Sequence, residues 1–246
     1  MRKFLKWGAL LLLAGLLLGT GGFVVWAETP LGPQPAALDA LQSDGQVTVK
    51  PGSGYTSFSP VSGQPTTAFI FYPGGRVDYR SYAPVLHRIA AQGYLVLLVP
   101  VRLNLAFFDI NAGEAALRDF PAIQHWASGG HSLGGVAASI FAARHAQVSG
   151  LILWAAYPPD DKLKDSNLKV ISIHGTLDGL ATPEKIEASR VLLPASAIFA
   201  AIPGGNHAQF GAYGPQPGDK PASIPAEEQW QQVATATVNL LQLLGK

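Results

Sequence analysis

The 246-residue chain contains no cysteine. That excludes a thiol nucleophile, a disulfide framework and a cysteine metal site. A fold without such staples must be held by its core, and a chain of this length can bury one. Charge is scarce as well: 13% of residues are charged and 48% hydrophobic, so the chain is neither disordered nor strongly charged. Basic runs are missing after the first six residues, which removes the electrostatic footprint of a nucleic-acid binder. No His-Glu-x-x-His occurs and the six histidines do not fall at ligand spacings, which argues against a metallohydrolase. Nothing calls for a metal or a cofactor, and no internal repeat is visible.

One long uncharged stretch is present. Arg2, Lys3 and Lys6 precede Trp7 to Ala27, which is long enough to cross a bilayer as a helix. The basic residues should stay in the cytoplasm and send the rest of the chain outward. A cleavable signal peptide is the rival reading, with Val25-Trp26-Ala27 as its cleavage site. Signal-peptide apolar regions usually run about 7–15 residues, so an uncleaved membrane anchor over residues 1–27 is favoured. Both readings export the domain. Without Arg2, Lys3 and Lys6, 14 of the 17 basic residues remain against 16 acidic ones, a balance of about −2. Residues 28–46 are rich in Pro, Ala and polar residues and read as a linker. Residues 47–246 suit one domain.

Within that domain apolar runs alternate with helical patterns. Val47-Thr48-Val49 and Tyr55-Thr56-Ser57-Phe58 read as short strands joined by a glycine turn. Ala68–Tyr72, Tyr94–Val99, Leu151–Ala156, Lys169–Ile173 and Ala197–Ile202 read as buried strands, with a shorter one near Ile123 to Ala127. Tyr82–Ala91, Glu114–Phe120, Leu133–His145 and Ala226–Leu244 carry helical spacing. Pro183–Leu192 is a further helix, with Thr182 as N-cap and Pro183 at its first position. This alternation predicts an α/β fold: a mostly parallel, eight-stranded sheet with helices on both faces. Only about a dozen residues separate the strand ending near Tyr157 from the next near Lys169, too few for a cap domain, so the site should be open.

The chemistry centres on Gly130-His131-Ser132-Leu133-Gly134-Gly135. A serine nucleophile on a sharp strand-to-helix turn needs flanking glycines to avoid collisions. The pattern alone is weak, since a chain this rich in glycine would show it by chance roughly once in six cases. Its context, an apolar strand before and an Ala-rich helix after, is what the motif demands. A serine hydroxyl needs a base. His87 and His145 fall within helices, His125 precedes the elbow strand, His131 should diverge from Ser132, and His174 ends a strand. His207 lies in the loop after the last strand, at the carboxyl edge where parallel sheets build their sites, and is the preferred base. Asp178, in the loop after the preceding strand, is the preferred orienting acid, with Asp160 and Asp161 as alternatives. The oxyanion donors should be the backbone N–H of Leu133 and that of Gly75, chosen over Arg76.

These blocks resemble the α/β-hydrolase superfamily, and are especially similar to a group of small exported bacterial hydrolases related in fold to dienelactone hydrolases. Phe71-Tyr72-Pro73-Gly74-Gly75, the Ser132 hexapeptide, His174-Gly175-Thr176-Leu177-Asp178-Gly179 and Gly204-Gly205-Asn206-His207-Ala208-Gln209-Phe210-Gly211 recur in that group, as does a segment like Leu103-Asn104-Leu105-Ala106-Phe107. The likeness covers roughly Val47 to Leu244. It departs in three places: dienelactone hydrolases use a cysteine that this chain lacks, haloalkane dehalogenases have aspartate where Ser132 stands, and Pro73 replaces a histidine common in relatives.

The resulting expectation is a serine hydrolase that cleaves a small-molecule carboxylic ester through an acyl-enzyme. Acyl transfer, peptide cleavage and a non-catalytic binding role on the same fold are the alternatives. Tyr157, Phe107, Phe210 and Tyr213 are candidates for an apolar pocket, and Gly211 to Pro225 for a segment bordering the site. An uncapped site favours small, accessible esters.

Overall fold

Two faces of one sheet organise the chain. The strands are β1 (Val47–Pro51), β2 (Thr56–Pro60), β3 (Thr67–Tyr72), β4 (Leu95–Leu98), β5 (His125–His131), β6 (Val148–Trp154), β7 (Lys169–Gly175) and β8 (Ile198–Ile202). They pair in the order β1-β2-β4-β3-β5-β6-β7-β8. β1 is antiparallel to β2 and β2 to β4, while every later pairing is parallel. The structure is a computed structural model that describes residues 2–245. The side chains of residues 2–6 and 9, including those of Arg2, Lys3 and Lys6, lie outside the described residues.

Helices cover both faces, as buried parallel strands require. α3 (Ala83–Ala90) and α7 (Ala226–Leu244) lie on one side; α4 (Glu114–Asp119) and α5 (Leu133–Arg144) lie on the other. The pleat of β3 feeds both. Phe69 and Phe71 join the cluster under α3 and α7, and Ala68, Ile70 and Tyr72 join the one under α5. On the α7 side Phe71, Trp154, Tyr82 and Phe210 make an aromatic floor, with the Phe71 and Trp154 ring centroids 4.5 Å apart. Trp154 Nε1 donates to Thr237 Oγ1 of α7, so this deeply buried ring keeps its polar atom satisfied.

Three expectations needed correction. β5 runs on to His131 rather than ending near Ala127, and β6 begins at Val148. Ser128-Gly129-Gly130 lacks the apolar side chains that mark a strand in sequence, but these glycines are strand residues at a close approach. A Cβ on Gly130 would crowd Tyr72 O of β3 and Gly134 of α5. Thr182 is the N-cap of α6 (Pro183–Ala188) and Pro183 opens it as expected, without a hydrogen bond from the Thr182 side chain; the segment finishes as a 3-10 turn, Ser189–Leu192. Residues 28–46 are not a free linker. Leu31 bridges to Val77, α2 (Pro35–Asp39) packs against α3, and Ala37 is fully buried.

α1 (Arg2–Ala27) is a single helix whose window Leu10–Ala27 is long and apolar enough to cross a membrane. Its leucines from Leu10 to Leu18 are exposed, while its last residue, Ala27, is fully buried against the domain. Residues 155–168, between β6 and β7, hold no helix or strand, so no cap is inserted there.

Candidate active site

Sheet order changes direction at β3, which pairs with both β4 and β5. Loops leaving the carboxyl ends of neighbouring strands diverge at such a point and leave a crevice. Ser132 stands there, between β5 and α5, with φ 51° and ψ −120°. That is strained backbone for a residue with a side chain. The strain is held by close packing: a Cβ on Gly134 would strike the carbonyl oxygens of Tyr72 and Pro73. Ser132 N–H donates to Trp154 O, which pins the turn to β6.

The loops after β7 and β8 bring Asp178 and His207 together. His207 Nδ1 lies 2.8 Å from Asp178 Oδ2, and both residues are buried. Asp178 Oδ1 accepts from the backbone N–H groups of Leu180 (2.8 Å) and Ala181 (2.7 Å). These donors hold the carboxylate in one orientation and compensate its loss of water. The opposite ring nitrogen, His207 Nε2, is buried without a hydrogen-bond partner. Ser132 and His207 line one cleft of about 230 Å³, together with Leu133, Val136, Ala156, Tyr157 and Leu180. Among the residues lining it none carries a fixed charge.

Four bracing residues escaped the sequence reading. Asp219 accepts from Gly179 N–H through Oδ1 and from Ala208 N–H through Oδ2, tying the Asp178 loop to the His207 loop. Gln229 of α7 is fully buried and clamps Asn206, accepting its N–H and donating to its carbonyl. Tyr82 accepts from Gly74 N–H, and its hydroxyl lies 2.8 Å from His131 Nδ1. Asn104 O accepts from Arg76 N–H. In sequence Asp219 sits in Pro-Gly-Asp-Lys and looks like a turn aspartate. Gln229 offers only its place beside Trp230 on a buried helix face.

The loop after β3 now sorts its donors. Gly74 N–H goes to Tyr82 and Arg76 N–H to Asn104, while Gly75 N–H has no partner among the described residues. Leu133 N–H, at the start of α5, has none either. Leu133 packs against Gly75, whose Cβ would lie 3.0 Å from Leu133 Cδ2. The other candidates separate cleanly. Asp160 is exposed and paired with Lys162. His145 pairs with Glu114 and His87 with Asp44, both away from the cleft. Tyr157 lines the cleft, Phe107 is exposed on the loop after β4, and Phe210 and Tyr213 are buried behind His131. Residues 211–225 brace the site from behind through Asp219 and Lys220 O. Among the described residues no three His, Asp or Glu side chains group as metal ligands.

His131 diverges from the cleft and stacks on Phe210, its ring centroid 4.4 Å from that of His207. Burial, reinforced by the neighbouring His207, pushes its pKa well below the ordinary histidine value. An unfolded histidine takes up a proton below about pH 6.5, whereas this one stays neutral in the fold. The unfolded state then binds more protons, so stability is lost as pH falls through that region. Melting temperature should therefore drop from about pH 7.5 to about pH 5.5, and His131→Asn should flatten that slope. An unchanged slope in the variant would remove His131 as the cause.

Comparison with known proteins agrees with this architecture. The family model described as the alpha/beta hydrolase family matches residues 68–231, more than half of the chain. No curated protein matches. Est1E from Butyrivibrio proteoclasticus superimposes with a TM-score of 0.57 at 12% identity, covering 80% of this chain and 100% of its own. The esterase domain of a Rhodothermus marinus protein also gives 0.57, at 14% identity, over 77% of this chain and 90% of its own. The narrower likeness to dienelactone hydrolases rests on the sequence blocks alone. With this sheet order, the strained serine turn at its switch point and a family match across the central strands, the chain belongs to the alpha/beta hydrolase family.

Proposed function

We propose that the protein is a serine carboxylester hydrolase in which Ser132 is the nucleophile, His207 the base and Asp178 the residue that orients it. One observation carries this reading. His207 is fixed through Nδ1 by a buried, triply hydrogen-bonded carboxylate, while its unpartnered Nε2 shares a cleft with the strained Ser132. That arrangement leaves Nε2 as the acceptor for a hydroxyl proton. In the first step the Ser132 oxygen bonds to the ester carbonyl carbon and its proton passes to His207. The N–H groups of Leu133 and Gly75, both unspent, receive the developing oxyanion. Collapse breaks the carbon–oxygen bond of the leaving alcohol, which takes the proton from His207. Water, deprotonated by the same nitrogen, then attacks the acyl carbon; the bond to the Ser132 oxygen breaks, that oxygen takes the proton back from His207, and the acid leaves.

The cleft suggests the substrate. Its volume is below the range of about 300–1,000 Å³ usual for drug-sized ligands, and its walls are uncharged and largely apolar. Both features favour a short, uncharged acyl group over a charged peptide or a long fatty chain. The two esterases among the structural relatives agree with ester cleavage. We further infer that α1 anchors the protein in a membrane with the domain outside the cytoplasm, on the strength of its long, exposed apolar face.

A fluorophosphonate probe tests the nucleophile, and p-nitrophenyl esters of graded chain length test the cleft. The wild type should be labelled and Ser132→Ala should not. Rates should peak at acetate to butyrate and fall about tenfold or more by the octanoate, since the longer chain has no room. An unlabelled wild type would dismiss the enzyme reading. An optimum at long chains would dismiss the substrate reading.

A further inference from the structure

The end of α1 is held by the loop that carries Gly75. A helix leaves its last carbonyl groups without partners of its own, and α1 has no basic residue in its last turn. The Thr29 hydroxyl donates to Val25 O and Trp26 O, and the domain supplies further donors. Arg76 donates through Nε to Trp26 O (2.9 Å) and through Nη2 to Thr29 O (2.8 Å), and its guanidinium lies 4.4 Å from the centroid of the Trp26 ring. Asn104 donates through Nδ2 to Ala27 O (3.1 Å). The two cap residues are joined by the bond from Arg76 N–H to Asn104 O (2.8 Å). A positive charge and two side-chain donors thus sit on the negative end of the helix dipole.

Both cap residues have left-handed backbone, φ 55° at Arg76 and 51° at Asn104, and so does Leu103 at 56°. Such a conformation costs energy in a non-glycine residue and persists where surrounding contacts enforce it. Here those contacts include the carbonyls of α1, the mutual bond, the bond from Leu31 N–H to Arg76 O (2.8 Å) and that from Asn104 N–H to Val101 O (3.2 Å). The Gly75 N–H shares its peptide plane with Gly74 O, which accepts from Val77 N–H (3.3 Å), so the turn from Gly74 to Val77, with Arg76 inside it, aims that N–H. Leu105, one residue beyond Asn104, closes the far side: its Cδ2 would lie 3.6 Å from a Cβ on Gly75.

We propose that the C-terminal end of α1 is a permanent support of the oxyanion loop, so that the helix is retained in the mature protein and Arg76 and Asn104 are positioning residues for catalysis. This rests on the Ser132 reading above. Cleavage after Ala27 would remove the Trp26 and Ala27 carbonyls and the Trp26 ring, leaving the Arg76 side chain only Thr29 O and its backbone carbonyl the bond from Leu31 N–H, and Asn104 no partner in this segment. The anchor would then do more than tether: it would keep the Gly75 N–H aimed at the place where the oxyanion forms.

The test uses the full chain in detergent micelles or nanodiscs with p-nitrophenyl acetate. Arg76→Ala and Asn104→Ala should each lower kcat about tenfold or more with KM changed less than about twofold, because a displaced donor weakens the transition state rather than binding. The rate constant for fluorophosphonate labelling should fall by a similar factor, and Arg76→Lys should recover only part of the loss, lacking the fork. Deleting residues 1–27 should cost as much as Arg76→Ala, and Arg76→Ala in the deleted chain should cost little more. If the deletion does not fold, the two point variants in the full chain decide the matter. Unchanged kcat in both point variants, a loss confined to KM, or a mature chain that begins at Glu28 by mass spectrometry would each overturn the proposal. Such results would leave the Ser132 reading intact, since that stands on wild-type turnover and labelling.

Discussion

Ser132→Ala and His207→Gln should each lower kcat by about 10⁴–10⁶-fold, and the double variant should be no slower than the worse of the two. The reason is that nucleophile and base act in one step. Without the hydroxyl there is nothing for His207 to deprotonate, and without an imidazole the hydroxyl is a poor nucleophile. Glutamine is preferred to alanine at 207 for a structural reason. Asp178 is fully buried, and stripping its partner away would leave an unpaired buried charge costing about 3–5 kcal/mol. Gln retains a donor for that carboxylate, so a lost rate is not mistaken for a lost fold. Stopped assays with p-nitrophenyl acetate, beside melting curves, measure both. Singles whose losses multiply in the double variant would contradict a shared step. A His207→Gln protein within about tenfold of wild type would do so as well.

Asp178→Asn should cost about 10⁴-fold in kcat while barely moving KM. Oδ1 can still accept from Leu180 and Ala181, so the loop keeps its shape. The change falls on the other atom. An amide N–H facing His207 Nδ1 would require that nitrogen to accept, which moves the ring proton to Nε2. The nitrogen facing the cleft would then be a donor and could not take the serine proton. Asp160→Asn provides the contrast: that carboxylate is on the surface with Lys162 and should leave turnover within about twofold of wild type, because exposed ion pairs contribute little. A large loss at Asp160 together with a mild one at Asp178 would reassign the acid.

Much of this was legible along the chain. Strand and helix identities followed from periodicity, because a strand covered on both faces, such as β3, has to be apolar throughout. The serine turn was legible because its geometry demands glycine at neighbouring positions. Asp178 and His207 could be nominated because each lies in the loop that follows a parallel strand, and all such loops leave the sheet at one edge. The errors arose where a local pattern has two physical meanings. The strand reads as stopping near Ala127 because Gly129-Gly130 carry no apolar side chain, yet the glycines are there because β6 and α5 press against a strand. Residues 28–46 read as a linker, yet Ala37 is buried in α2, which packs on α3, and Leu31 bridges to Val77.

By itself, then, the sequence determined which segments are buried, where the chain turns sharply, and which three side chains reach the carboxyl edge in order. All of these depend on local spacing and hydrophobicity. The tertiary structure alone decided which N–H groups remain unspent. Gly75 and Arg76 are equivalent as adjacent residues in a loop, and only the arrival of Asn104 O, 28 positions from Arg76, consumes one donor and leaves the other. It alone decided the braces as well: Asp219 and Gln229 act on loops far from them in sequence. A long-range hydrogen bond leaves no periodic trace, because either partner would look the same in a solvent-exposed turn or on a helix face.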